Sequence, residues 1–300
     1  MQQRQIKMDK YKISRIVICV ILAFICNMSF SQEKRAFLVG ISNYSQTQKD
    51  SWSVIHGAND VALLMPTLKR QGFQVVTLRN ESATAQKIRD GLKTIAKTCH
   101  QGDTVFLHFS CHGQPFEDKN GDEADGWDEA LVPYDAEKVY TKGKYTGENH
   151  ITDDELSVYL DAIRKKMGSR GYLIAVIDAC HAGSSSRGDD DDSVFIRGTR
   201  EGFSASNKPY APEIEKCGTM KVRKADDMAH IYILEACRSY ENNREIKENG
   251  KYYGCLSFYV NKALQKHDVS KDALWVNDVS QGMKGDIRLL EQHIVIETSK

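Results

Sequence analysis

Gly171-Tyr-Leu-Ile-Ala-Val-Ile-Asp-Ala-Cys-His-Ala-Gly183 opens as an apolar run, Tyr172 to Ile177, and closes on Asp178, Cys180, His181 and Gly183. Such a run reads as a strand buried on both faces, as in a parallel sheet. Ligands of open α/β sheets bind at the carboxyl ends of the strands, so Cys180 stands where a nucleophile would be displayed. A second stretch has the same layout: Asp103-Thr-Val-Phe-Leu-His-Phe109 leads into Ser110-Cys111-His112-Gly113. If the two strands are parallel neighbours, His112 and Cys180 lie side by side. A thiol is a weak nucleophile until a base takes its proton, and an imidazole within hydrogen-bond reach does that. A lone cysteine is more often a small buried hydrophobe. Here both residues follow apolar strands and both lie close before a glycine, which favours chemistry.

The chain before the histidine alternates strand and helix. Lys34 to Tyr44 reads as a strand with a glycine-bearing exit, and Ser45 to Ser53 as polar loop. Gly57 to Arg70 reads as a helix with Val61, Leu64, Met65 and Leu68 on one face, capped by Asn59 or Asp60 and closed by Gln71-Gly72. Pro66 inside it predicts a kink or a break. Phe73 to Leu78 reads as the second strand and Asn80 to Lys97 as the second helix, with Ile88, Leu92 and Ile95 inward. This alternation predicts an α/β fold with a mostly parallel sheet and helices on both faces. Further on, Thr152 caps a helix that runs to about Lys166 and ends at Gly168. His230 to Ala236 is a strand and Gly254 to Leu264 a helix; a helix and a last strand, Gln292 to Glu297, follow Asp268. Pro115 to Asp135 is a long acidic segment, and Lys138 to Glu148 reads as an exposed loop. Ser184 to Ala225 has little periodicity and reads as a long loop of the functional or disordered kind.

With 41% apolar and 27% charged residues in 300, the composition is that of a globular chain, and a formal net charge of zero gives no sign of a nucleic-acid partner. The first 31 residues differ. Arg4, Lys7, Lys10, Lys12 and Arg15 precede an apolar run, Ile16 to Phe30, which is the layout of a secretory signal peptide with cleavage near Ser29–Gln32. The expected setting is secreted or periplasmic. A membrane anchor over residues 16–30, left uncleaved, is the alternative, and it is the one membrane association expected. Of the cysteines, Cys99, Cys111, Cys180, Cys217, Cys237 and Cys255 lie past that segment, with no disulfide-type spacing, so mostly free thiols are expected.

His-Phe-Ser-Cys-His-Gly (108–113) resembles the histidine motif of caspases and metacaspases, and Asp-Ala-Cys-His-Ala-Gly (178–183) the metacaspase cysteine motif with alanine at two positions. The resemblance runs from about Lys34 to Lys266 and weakens past Asp268. It implies a caspase-like three-layer α/β/α sandwich over residues 32–300 and a cysteine endopeptidase working through a Cys–His dyad. Cys180 is then the nucleophile and His112 the base and acid; the Gly113 and Cys180 amides would face the oxyanion. His181, next to Cys180, is the competing base, disfavoured because neighbours in an extended segment point apart. Asp178, two residues before Cys180, shares its face and would pair with Arg or Lys of a peptide or protein substrate. Ser110 matches a second pocket residue. A cap on a local turn is the bland alternative for Asp178.

The resemblance also implies calcium activation. Asp153-Asp154 matches the metacaspase calcium pair, and Asp128 or Asp125 falls near a third ligand. Arg187 stands where the family has its fourth aspartate, and Asp189 substitutes by a small shift. Asp118-x-Asn120-x-Asp122 resembles part of an EF-hand loop without its downstream half. A solvated acidic loop is the plain alternative for all of these. No organic cofactor is implied. Basic residues between Arg187 and Lys224, and Lys142 and Lys144, are candidate sites of self-cleavage. Two readings compete with the enzyme: a catalytically silent caspase-like binding module, and a zinc protein using His108, Cys111 and His112, whose placement on one strand end cannot all face one metal.

Overall fold

Alternation within the strands builds two cores. The computed structural model describes residues 32–45, 52–180, 195–211, 220, 222–269 and 274–299. Residues 1–31, His181, Asp189 and Cys217 therefore lie outside the described part, as does the signal-peptide expectation. In chain order the elements are β1 (Lys34–Gly40), α1 (Gly57–Arg70), β2 (Gln74–Arg79), α2 (Ala85–Thr98), β3 (Thr104–Ser110), β4 (His112–Glu117), β5 (Trp127–Val132), β6 (Ile151–Thr152), α3 (Asp153–Met167), β7 (Tyr172–Asp178), β8 (His230–Glu235), β9 (Glu245–Glu248), β10 (Lys251–Gly254), α4 (Cys255–Leu264), α5 (Leu274–Lys284) and β11 (Val295–Thr298). The main sheet runs β2-β1-β3-β7-β8-β11; its first five strands are parallel and β11 is antiparallel at the edge.

Val105, Leu107 and Phe109 of β3, with Leu173, Ala175 and Ile177 of β7, face the core under α2 and α3. Phe106, Ile174 and Val176 face the opposite core under α1, α4 and α5. A helix layer, a sheet and a second helix layer result, the α/β/α sandwich expected from the alternation. Register pairs Ser110 with Asp178, so both motifs leave the sheet from adjacent positions at the carboxyl edge. Among the described residues, no helix is long and apolar enough to cross a membrane.

Several boundaries differ from expectation for physical reasons. Helix α1 passes through Pro66 without a break. Pro66 and Ala62, whose carbonyl loses its usual donor, are both exposed, so that carbonyl is open to solvent and the missing bond costs little. Neither Asn59 nor Asp60 caps α1: the helix begins at Gly57, with His56 before it and no side-chain cap. Helix α2 begins later than expected, capped by Thr84, whose hydroxyl accepts from Lys87 N at 3.4 Å. Helix α3 matches, from the Thr152 cap (Glu155 N to Oγ1, 3.2 Å) to Gly168 at φ +62°. The acidic stretch is not simply loop: β4, β5 and β6 form a small antiparallel sheet beside the mouth of the main one, and β9–β10 form a hairpin. Within the expected long loop, residues 195–203 are hydrogen-bonded to β4 and to residues 243–245.

Candidate active site

The carboxyl edge of β3 and β7 carries the candidate dyad. His112 is 1% exposed, its ring stacked on Trp52 (centroids 5.1 Å) and tilted against Tyr44 (5.2 Å). Its Nε2 lies 2.9 Å from the Ser53 carbonyl oxygen. A carbonyl only accepts, so Nε2 carries the proton and Nδ1 keeps its lone pair. That Nδ1 is buried without a hydrogen-bond partner among the described residues. Burial lowers the imidazole pKa to about 4, against the pull of the Ser53 bond, so the ring is a neutral acceptor at physiological pH. The Ser53 carbonyl is an orienting group that a sequence hides, because every residue has one. Cys180, 1% exposed, donates its thiol to the Glu241 carbonyl at 2.7 Å, and the neighbouring Cys237 approaches the same oxygen at 3.5 Å. All five described cysteines are free thiols.

The two amides expected to face an oxyanion converge on one atom. Gly113 N and Cys180 N both donate to the Arg197 carbonyl, at 3.4 and 2.9 Å. The Arg197 side chain drops into a fully buried pocket. Its Nη2 pairs with Asp60 at 2.8 Å and with Glu245 at 2.8 Å, and Nε donates to Glu245 at 3.0 Å. Its Nη1 donates to Ser110 Oγ at 2.6 Å and lies 3.4 Å from Asp178 Oδ1. Asp178 is fixed in turn by Asn243 Nδ2 (2.8 Å) and by the amide and hydroxyl of Ser257 (2.8 and 2.7 Å). Gly254 closes the pocket wall: a Cβ there would collide with the Asp178 carboxylate and the Arg197 guanidinium. Burial pushes Asp60 up to about 7 despite Arg197, while in Glu245 the attraction of Arg197 and His56 outweighs burial and holds the pKa low.

A family model described as metacaspase, peptidase C14 domain, matches residues 34–187. Metacaspase-2 of Arabidopsis thaliana is 33% identical over 161 residues, 51% of this chain and 35% of that protein. Metacaspase-3 of the same plant is 33% identical over 244 residues, 78% of this chain and 60% of that protein. This chain belongs to the metacaspase family. It spans only part of the length of these relatives, between 35% and 60%. The fold agrees with the crystal structure of caspase-1 from Spodoptera frugiperda, with a TM-score of 0.54 at 16% identity over 90% of each chain.

His112, Cys180, Asp178, Ser110 and Asp60 fall inside the matched span of this metacaspase domain, whereas Arg197 and Glu245 lie beyond it. Asp60 and Glu245 were not foreseen as pocket groups. Asp60 did leave a signal: it sits beside Val61 and one turn before Leu64 on the buried face of α1, where an unpaired acid is out of place. Glu245, in a short β9 after irregular chain, left none. His108 does not join His112. Its Nε2 meets Ser257 Oγ at 2.8 Å on the other face of the sheet, which removes the zinc arrangement. Cys111 packs in the core under α2 and α3.

The expected metal residues separate. Oxygens of Asp118, Asp122 and Asp128 lie within 4.8 Å of one another. Asp128 is 6% exposed and its Oδ1 has no hydrogen-bond partner among the described residues. Asp154 lies next to this group, accepting from Asn120 Nδ2 at 2.6 Å. Asp153 is buried at the start of α3 and is not in the group, and Asp189 lies outside the described residues. The acids of the fragment Asp118-x-Asn120-x-Asp122 thus lie together with Asp128 of β5. Several close oxygens with a buried, unpartnered carboxylate suit a hard divalent cation.

Proposed function

We propose that this chain is a cysteine endopeptidase that hydrolyses peptide bonds after arginine, and more slowly after lysine. The observation that carries the reading is the Arg197 side chain held by Asp60, Asp178 and Glu245 while its carbonyl meets the Gly113 and Cys180 amides. The pocket presents acceptors to Nε, Nη1 and Nη2 of a planar guanidinium, a geometry that lysine, with one ammonium, meets only in part.

In the proposed mechanism the Cys180 thiol leaves the Glu241 carbonyl and gives its proton to His112 Nδ1. The thiolate attacks the carbonyl carbon, and the negative charge on oxygen is met by the two amides. His112 then protonates the departing amine, and water releases the acyl group from sulfur. Stacking on Trp52 and the Ser53 carbonyl hold the ring in the tautomer that this transfer needs.

A calcium ion is proposed at Asp118, Asp122 and Asp128, with Asp154 at its edge; it would order the β4–β5 connection next to the cleft. Residues 1–31 keep the layout of an export signal, so the proposed setting is outside the cytoplasm.

The test is hydrolysis of blocked fluorogenic peptides ending in Arg, Lys or Asp by the wild type and Cys180→Ala, with calcium or chelator. Turnover after Arg above Lys, lost in the variant, is expected. Cleavage after Asp would overturn the pocket assignment, and a folded wild type inactive in every condition would favour the silent binding module.

A further inference from the structure

We infer that the bond between Arg197 and Gly198 is this chain's own processing site, and that residues 195–203 are seated across the cleft as its first substrate. The inference rests on the arginine-directed activity proposed above and goes further, to one bond and its flanking subsites.

Upstream of the bond, the segment pairs as an added strand. Arg197 N donates to the Asn243 carbonyl and Glu245 N to the Phe195 carbonyl, both at 3.0 Å, with Ile196 opposite Arg244 in antiparallel fashion. Main-chain pairing of this kind is how an extended peptide is recognised at a sheet edge. The Phe195 ring meets His56 edge-on (4.6 Å) and Tyr252 (4.8 Å), so an aromatic site lies two residues before the arginine. Downstream, Gly198 lies opposite Gly113 and Phe203 opposite Phe116, both parallel to β4. Phe203 N donates to the Pro115 carbonyl at 2.8 Å, and its ring stacks on Phe116 at 5.1 Å. The chain is thus gripped on both sides of one bond, with that bond's carbonyl on the two amides.

Gly198 carries the second restriction. A Cβ at this position would collide with the Cys180 carbonyl, and backbone cannot swing away as a flexible side chain can. Only glycine seats directly after the cut bond in this register. Arg200, three residues on, is exposed and outside the pocket. The same restrictions extend to other proteins: the favoured external sequence has an aromatic residue two before the arginine and glycine after it.

The step balances without redox change. A bond forms between Cys180 sulfur and the Arg197 carbonyl carbon, and the Arg197–Gly198 C–N bond breaks. The thiol proton passes through His112 to the Gly198 amine. One water then cleaves the thioester, leaving an Arg197 carboxylate and the free thiol.

The full chain and its Cys180→Ala and Arg197→Gln variants are followed by intact mass and N-terminal sequencing. In parallel, the wild type is given a blocked Arg coumarin amide and a blocked nonapeptide of residues 195–203. The expected result is a new N-terminus at Gly198 in the wild type alone, and a peptide cut after Arg197 but not after Arg200. The peptide with Phe195→Ala should lose about tenfold in kcat/KM, and that with Gly198→Ala about a hundredfold. A wild type that turns over the amide but stays whole, or is cut elsewhere, overturns the processing site and leaves the arginine reading standing. A peptide cut equally after Arg200 overturns the subsite assignment, whatever the fate of Arg197→Gln on folding. Loss of amide turnover as well overturns both.

Discussion

Two groups of carboxylates flank the mouth of the sheet, and they differ in what faces them. Asp60, Asp178 and Glu245 surround a guanidinium, and all four side chains are fully buried. Asp118, Asp122 and Asp128 face one another instead, and they are graded from half-buried through exposed to buried. A buried charge survives only with a close counter-charge and satisfied hydrogen bonds. The first group meets that condition through Arg197. The second meets it only in part: burial, then the neighbouring acids, push Asp128 up to about 7. The first group holds a cation of this chain, and the second has carboxylates of a kind that suits one.

The sharpest way to break this comparison is to remove one acid from the filled pocket. Glu245→Gln takes away the carboxylate that receives two guanidinium nitrogens. Loss of one partner of a buried charge pair costs about 2–5 kcal/mol, so kcat/KM for an Arg amide should fall roughly 30- to 5,000-fold, with Lys amides affected less. A loss below about fivefold, in a variant with an unchanged melting curve, would show that the pocket does not read the guanidinium.

Those two groups also mark where the sequence was legible. Strands with unbroken apolar runs announced the sheet, and Ser110, His112, Asp178 and Cys180 were readable as candidates because each sits within three residues of such a run's end. The pocket was half hidden. Its remaining acids come from α1 and β9, brought in from far along the chain, and Asp60 was read as a helix cap because acids are common near helix starts. The Ser53 and Glu241 carbonyls that hold the candidate dyad are backbone atoms and carry no residue signature. Residues 195–203 were read as loop because their bonds go to β4 and to residues 243–245, and pairing with distant chain leaves no period. Of the four acids expected at a metal, Asp128 lies in the group, Asp154 beside it and Asp153 apart, and Asp189 lies outside the described residues, since a run of acids does not say which carboxylates turn toward one another.

A second prediction separates the two groups by the cation each takes. Calcium at about a hundred times its Kd should raise Tm by roughly 5 °C or more. Asp128→Asn should erase that rise and leave the metal-free melting temperature unchanged or slightly higher, because a crowded acid has been neutralised. Asp153→Asn should keep the calcium response. If Asp128→Asn keeps the full rise, the ion sits elsewhere.

The smallest expected effect concerns how the filled pocket titrates. Asp60 faces Arg197, Asp178 and Glu245, with Ser110 donating to it at 2.7 Å and His56 beyond Glu245. Burial raises its carboxyl, the guanidinium pulls it back, and the balance with arginine bound is about 7. Without a guanidinium the pull is gone, so the empty pocket holds its proton to a higher pH. Binding of arginine must then expel that proton between the two values. Affinity for a guanidinium is therefore flat below about pH 7 and rises above it by at most about tenfold per pH unit, until the empty pocket ionises too. Inhibition by N-acetylagmatine reads this directly, since its guanidinium does not titrate in the range. Its Ki should fall above pH 7 for the wild type and stay level for Asp60→Asn. A Ki that falls equally in both would assign the proton to another group, with His56 beside Glu245 the first to test.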